Sequence, residues 1–291
     1  MSENNPLKAL AWMLGAAASF SAMAVAGREL SVEMNTFELM LYRSIIGFVI
    51  ISILISRTKR GFAQVRTKRM RDQLWRNLFH YTGQNLWFYG VAAIPLSQLV
   101  ALEFTNPIWV ALLAPLMLSE ALTKRRMLAA LVGFLGVLIV ARPGYGPLEW
   151  GHAAGLGAAI GFAMNTIWTK RLMSTESVLN VLFWMTLLQA IASLILSLPG
   201  GIPVPTSAGW PWIIVVGICG LTAHYALTSA LGAAPATIVA PLEFIRLPVI
   251  AMLGMLIYDE PIVLAVFIGA AVIILANLIN IGGRRRQIAR P

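Results

Sequence analysis

The sequence Leu-Glu-Phe occurs twice in this chain, centred on Glu103 and Glu243, and each copy lies within a long apolar stretch. The two glutamates are 140 residues apart, and three residues beyond each one stands a further polar residue, Asn106 in the first copy and Arg246 in the second. Residues three apart share a helix face. An ionisable group inside an apolar stretch is costly to bury and marks a proton relay or a ligand site. We therefore start from these two pairs as candidate binding groups.

The two copies differ in the charges that they bring together. Glu243 and Arg246 can neutralise each other on one helix face, either as a structural pair or as part of a site. Glu103 has no cation at that spacing, although His80 or Arg43 could approach it from another helix. We expect Glu103, as the acid without a partner on its own helix, to serve the ligand.

Polar and aromatic residues in three other stretches suggest a cavity wall. His80, Gln84 and Trp87 follow the i, i+4, i+7 spacing of one helix face. A single histidine in such a position more often makes an interhelical hydrogen bond, but aromatic surface with a few polar groups is typical of a ligand pocket. An aromatic ring of the ligand could stack there, and an ammonium could meet Glu103 or a ring face. The predicted substrate-binding residues are His80, Tyr81, Gln84, Trp87, Glu103, Asn106, Asn165, Trp168, His224, Tyr225, Glu243 and Arg246.

The composition places these residues in a membrane protein. Of 291 residues, 58% are hydrophobic and 12% are charged, whereas soluble domains carry about 25% charged residues. A helix that crosses a bilayer needs about 20 mainly apolar residues. We predict an all-α polytopic membrane protein with ten transmembrane helices, at 7–27, 36–56, 74–94, 97–118, 126–142, 150–170, 178–198, 210–231, 236–257 and 262–281.

The recurrence divides the predicted helices into two repeats of five, 1–147 and 148–291, which together form one transmembrane domain. Five spans per repeat make the second copy enter the membrane from the opposite side, as in the inverted repeats of many transporters. Eighteen of the 22 lysines and arginines then fall on one side. That side is cytoplasmic by the positive-inside rule, and both termini lie there.

The net charge of +10 follows from those basic loops, which attract anionic membrane lipids. We therefore predict no nucleic-acid partner. A single cysteine and three histidines leave no cysteine-rich metal site, and no metal or cofactor is expected. The catalytic motifs H-E-x-x-H, G-x-S-x-G and G-x-x-x-x-G-K do not occur, so we do not expect an enzyme.

Two local features bear on how the helices move and pack. Proline lacks a backbone donor, and we predict hinges at Pro107, Pro115, Pro241 and Pro248. The glycines of segment 151–161 are spaced four apart and predict close helix contact.

Ten spans, two five-helix repeats and a Pro…Glu…Glu block at the fourth and ninth helices resemble the EamA-type drug/metabolite transporter superfamily. The aromatic third helix is similar to that of its YddG-like aromatic amino-acid exporter branch. The resemblance covers nearly the whole chain. It implies a bacterial inner-membrane exporter of amino acids and related small metabolites, with a central cavity between the repeats and alternating access.

Other functional interpretations of the same residues stay open. The substrate could be a nucleotide sugar, a cofactor precursor or a drug. An intramembrane enzyme could use Glu103 and His80 as acid and base, and a membrane scaffold could use the polar stripes to join its helices. The sequence leaves the energy coupling and the oligomeric state undetermined.

Overall fold

The computed structural model describes residues 5–118, 124–141, 148–173, 175–233, 242–243 and 245–288. These residues form helices and short connections without a strand, which confirms the predicted all-α fold. The helices of the first half are α1 (Pro6–Leu30), α2 (Thr36–Ser56), α3 (Met70–Ala93), α4 (Leu96–Glu103), α5 (Asn106–Leu118) and α6 (Lys124–Ala141).

The second half repeats this order; in its fourth span the structure describes residues 242–243, which are helical, and a helix from Arg246 onward. Short 3-10 helices follow α2 and the second helix of this half, at Gly61–Val65 and Leu198–Gly200. The helices of the second half are α7 (Trp150–Leu172), α8 (Val178–Ser197), α9 (Gly209–Ala233), α10 (Arg246–Tyr258) and α11 (Leu264–Ile288).

Capping side chains determine where several helices begin. The Asn35 side chain accepts hydrogen bonds from the first turn of α2, and Glu38 bonds back to the Asn35 N–H, so that both ends of a capping box are present. Ser177 caps α8 through Asn180 N–H. By length and composition, the helices at 7–30, 36–56, 178–200 and 209–227 can cross a membrane. The α3 helix is long enough but carries the polar stripe identified above.

The helix pairing is symmetric between the two halves. The first helix of one half packs against the third helix of the other, as α1 against α9 and α7 against α3. The second helices α2 and α8 pack together, and so do the fifth helices α6 and α11. This exchange of partners is what a twofold relation between two copies would give.

Glycines allow the closest helix approaches. A Cβ on Gly161 of α7 would lie 2.9 Å from the Gly83 Cα of α3 and 2.9 Å from the Phe79 carbonyl oxygen. Across α6 and α11, a Cβ on Gly136 would lie 2.8 Å from the Gly269 carbonyl oxygen. The close contact predicted for the glycine-rich segment is therefore confirmed.

We expect Gly161→Ala to lower the free energy of unfolding by about 1–3 kcal/mol, because the added methyl meets backbone that cannot move aside. Gly15→Ala is the matched control, since a Cβ at Gly15 meets nothing within 4 Å. It should be neutral or stabilising by up to about 1 kcal/mol. Unfolding of the two variants in detergent tests the difference, and equal stabilities would contradict the tight α3–α7 contact.

An ionic cluster joins three helix ends at one end of the bundle. The Arg28 side chain at the end of α1 pairs with Glu260, and its Nε donates to the Val91 carbonyl at 2.6 Å. Glu260 also accepts the Leu96 N–H at the start of α4, with Oε2 at 3.0 Å. Asp259, at φ 52°, turns the chain in the left-handed conformation so that Glu260 folds back onto α10.

Candidate functional site

The fourth span is broken in its middle, at Phe104 and Thr105. Pro107 stands in the first turn of α5, where it has no N–H to bond to the Glu103 carbonyl, which weakens the helix at this point. Two side chains donate hydrogen bonds to backbone carbonyl groups at the break. Thr105 Oγ1 donates to the Leu102 carbonyl at 2.7 Å, and Asn277 Nδ2 of α11 donates to the Phe104 carbonyl at 3.1 Å.

We predicted a continuous helix that bends at its prolines, whereas the structure shows two helices with a break between them. The α5 helix continues through Pro115, so the interruption lies only at the Pro107 side. In the second half, Pro248 stands in the first turn of α10 and Pro241 lies outside the described residues. Non-helical backbone at membrane depth is tolerated where it lines a cavity. The hinge roles themselves stay predictions.

A cavity of about 290 Å³ opens beside this break. Helices α1, α3, α4, α5, α7, α9, α10 and α11 all contribute to its wall, so both halves build it. Its aromatic lining consists of Phe20, Trp87, Phe88, Phe104 and Phe162. No periodic pattern predicted that Phe20 or Asn277 would line the cavity, because the packing of distant helices brings them there.

Most of the predicted binding residues lie around this cavity. The polar stripe of α3 faces it, as the i, i+4, i+7 spacing predicts, and the Leu-Glu-Phe copies contribute both glutamates. The predicted residues that line the cavity are His80, Gln84, Trp87, Glu103, Asn106, Asn165, His224, Glu243 and Arg246.

Three predicted residues do not line it, because each lies on a different face of its helix. Tyr81 is buried between α3 and α8, where its hydroxyl accepts a hydrogen bond from Ser193 at 2.9 Å. The Trp168 ring stacks on Trp75 with centroids 6.5 Å apart. Tyr225 is 58% exposed and faces away from the cavity. These three residues therefore lie outside the cavity in this structure, and their contact with a ligand stays a prediction.

The charge pairing around Glu103 differs from the sequence expectation. Arg246 Nη2 lies 2.7 Å from Glu103 Oε2 and forms an ion pair with it, so Glu103 is not the acid without a cation. Trp87 Nε1 donates to the same oxygen at 2.8 Å. The cause is the packing of α4 against α10, which brings the end of α4 next to the start of α10. From other helices we had considered only His80 and Arg43 as partners of Glu103, whereas the pair forms with Arg246 of the second half.

Aromatic rings surround the Arg246 guanidinium. Its Cζ lies 5.1 Å from the centroid of Phe20 and 5.4 Å from that of Phe104. Such contacts stabilise a desolvated cation. The Glu103–Arg246 pair is thus held between the halves by one hydrogen bond from Trp87 and by two ring faces, and it forms one polar wall of the cavity.

A second polar wall, formed by His80, Gln84 and His224, is supported by residues that we had not assigned to the site. The Gln84 amide is assigned with its oxygen toward Arg43, because the opposite orientation would place donors against donors. In this orientation Arg43 Nη1 and Nη2 donate to Gln84 Oε1 at 3.1 and 2.9 Å, and Gln84 Nε2 donates to Gln189 Oε1 at 3.0 Å. Gln189 Nε2 donates in turn to His80 Nδ1 at 3.0 Å. The ring of His80 lies 5.6 Å from that of His224. In the sequence, this wall was indicated by Arg43, because an arginine within an apolar segment marks a functional site. We had considered Arg43 only as a partner of Glu103.

The chain belongs to the EamA-like transporter family, whose model matches residues 7–142 and again 149–282. The fold is therefore that of a polytopic membrane transporter built from two copies of one unit. The family match does not reach the narrower YddG-like branch, which stays a prediction.

Two curated relatives cover nearly the whole chain. A riboflavin transporter of Rhizobium johnstonii is 28% identical over 96% of this chain and 93% of its own length. An S-adenosylmethionine uptake transporter of Rickettsia bellii is 25% identical over 97% of this chain and 96% of its own length. A solved crystal structure with a TM-score of 0.63 and 18% identity covers 96% of this chain and 98% of that chain, which shows a shared fold.

Proposed function

We propose that this protein transports a cofactor-related metabolite with a flat heteroaromatic ring system across a bacterial inner membrane. The observation that carries the proposal is the cavity itself, which is lined by five aromatic side chains and by the Glu103–Arg246 pair. Its volume of about 290 Å³ is close to the lower end of the range of small-molecule sites, about 300–1,000 Å³. Aromatic faces suit stacking of a planar ring, and the ion pair can orient polar groups of the solute.

The names of the relatives favour this class of substrate. Riboflavin and S-adenosylmethionine both combine a heteroaromatic ring system with a polar chain. Amino-acid export, the substrate and direction that we expected, has no support among these relatives. A cofactor-type substrate, one of the alternatives left open by the sequence, is the better account, and transport is favoured over intramembrane catalysis.

The two family matches support a division into repeats at 1–147 and 148–291. The twofold exchange of helix partners supports their inverted orientation. In this proposal both termini are cytoplasmic, and the halves rock about the break between α4 and α5 to expose the cavity to each side in turn.

Ligand-induced stabilisation of the purified protein tests the substrate class. A ligand that binds only the folded state raises the melting temperature. We expect riboflavin or S-adenosylmethionine to raise it at concentrations where tryptophan and phenylalanine do not. The shift should fall in Trp87→Phe, which keeps a ring but loses the donor to Glu103. It should persist in the control Trp150→Phe, a residue 80% exposed. Stabilisation by the amino acids alone would contradict the proposal.

A further inference from the structure

We propose that the wall formed by His80, Gln84 and His224 binds an oxyanion of the transported metabolite, a carboxylate or a phosphate, and that Arg43 supplies the positive charge. This inference rests on the proposed function and predicts that, within its substrate class, molecules with an anionic group bind more tightly than their neutral relatives.

Arg43 is a buried cation without a counter-ion in the described part of the chain. Only 5% of the residue is exposed, and its one described acceptor is the neutral amide oxygen of Gln84. Its Nε has no hydrogen-bond partner among the described residues. Burying a charge inside a membrane protein costs several kcal/mol unless an opposite charge compensates it. A neutral side chain would join these helices at lower cost, so the charge itself requires a role.

The hydrogen bonds that leave Arg43 all run in one direction. Arg43 donates to Gln84, Gln84 donates to Gln189, and Gln189 donates to His80 Nδ1. Because Nδ1 accepts, the neutral His80 ring carries its proton on Nε2. The relay therefore makes His80 a hydrogen-bond donor at the cavity wall, which is the group that an oxyanion needs.

The helix opposite leaves room for the guanidinium. A Cβ on Gly220 of α9 would lie 2.8 Å from Arg43 Nε and 2.8 Å from Nη2, so a side chain there would displace Arg43. One helical turn beyond Gly220 stands His224, which lines the cavity. The glycine thus places the charge directly behind the polar wall.

A second arginine strengthens the positive potential. Arg76 precedes His80 by one turn of α3 and is 5% exposed. It contacts the Thr169 hydroxyl at 2.9 Å and the Met185 sulfur at 3.7 Å. No carboxylate of the described residues forms an ion pair with Arg43 or Arg76. Two described acids line the cavity: Glu103 is paired with Arg246, and Glu243 forms no described ion pair with Arg43 or Arg76. An anionic solute group would therefore complement this wall.

A matched ligand pair tests this inference on the purified full-length protein. Riboflavin and riboflavin 5′-phosphate differ by one phosphate. We expect the wild-type protein to bind the phosphate ester at least about tenfold more tightly, since a hydrogen bond to a charged group contributes roughly 1.5–3 kcal/mol. Arg43→Gln should reduce the ratio of the two affinities to about one. The control Arg57→Gln, at an exposed helix end, should keep the wild-type ratio.

Gln84→Glu is the second variant, and it does not remove the buried charge. It places a carboxylate against Arg43, and we expect a higher melting temperature together with loss of the preference for the phosphate ester. Equal wild-type affinities for the two flavins, or a preference that survives in both variants, would overturn the proposal.

Failure of both flavins to bind would instead count against the proposed substrate class. Inorganic phosphate, added alone at millimolar concentration, then decides the anion site. Stabilisation of the wild-type protein but not of Arg43→Gln supports the site, and no stabilisation of either overturns it.

Discussion

Replacing Arg246 by glutamine should lower transport by roughly 100-fold, because truncating one partner of a buried charge pair costs about 2–5 kcal/mol. The variant leaves the Glu103 carboxylate with the Trp87 donor alone, in a cavity that Glu243 also lines. Two acids would then face each other without the cation between them. We expect the melting temperature to fall with the flux, and Glu103→Gln to have an effect of similar size through the unpaired Arg246.

The double variant Glu103→Gln/Arg246→Gln separates folding from transport. If the two groups form a pair, the double variant should be more stable than either single variant, and the interaction energy from the cycle should be clearly non-zero. Transport should stay low, because the polar wall that meets the solute is still absent. Glu149→Gln and Arg57→Gln, both at exposed positions, are the matched controls. Additive effects of the two single substitutions would contradict the pair.

The second large effect is expected at the ionic cluster of Arg28 and Glu260. Glu260→Gln should lower the free energy of unfolding by about 1.5–3 kcal/mol, since it weakens charge-assisted bonds to the Arg28 side chain and the Leu96 N–H. The cluster joins α1, the α3–α4 connection and the end of α10. These elements come from both halves, so loss of the cluster should favour a conformation that is open at this end.

Thiol labelling can follow that opening. Ser97 lies at the start of α4 and is 7% exposed, so Ser97→Cys in a Cys219→Ser background reports access next to the cluster. We expect a water-soluble maleimide to label it several-fold faster after Glu260→Gln. Glu149→Gln should leave the labelling rate unchanged. An unchanged rate in Glu260→Gln would show that the cluster stabilises the fold without controlling this end.

Hydropathy, together with the glycines and prolines between the apolar stretches, was sufficient to locate the described helices. They did not predict the break at Phe104 and Thr105. A proline in a span is compatible with a bend or with a break, and the choice here depends on Asn277, which bonds to the freed backbone from another helix. Such a contact follows from the packing of distant segments and leaves no local pattern.

The cavity-lining residues were predictable where helix periodicity alone determines which side chains face the cavity. His80, Gln84 and Trp87 share one face of α3, and that face lines the cavity. Tyr81 and Tyr225 are each one residue away from a lining histidine, and a rotation of about 100° per residue points them elsewhere. The partner of Glu103 was not predictable from one helix, because it depends on which half-helix ends meet across the two repeats.

Flux of radiolabelled riboflavin into proteoliposomes, measured for wild type and Arg246→Gln at equal protein incorporation, tests whether the protein carries such a substrate through the cavity. We expect saturable wild-type flux that excess S-adenosylmethionine or riboflavin 5′-phosphate reduces and tryptophan does not. Flux in Arg246→Gln should be close to that of empty liposomes. Wild-type flux no higher than that of empty liposomes, or equal flux in both proteins, would contradict it.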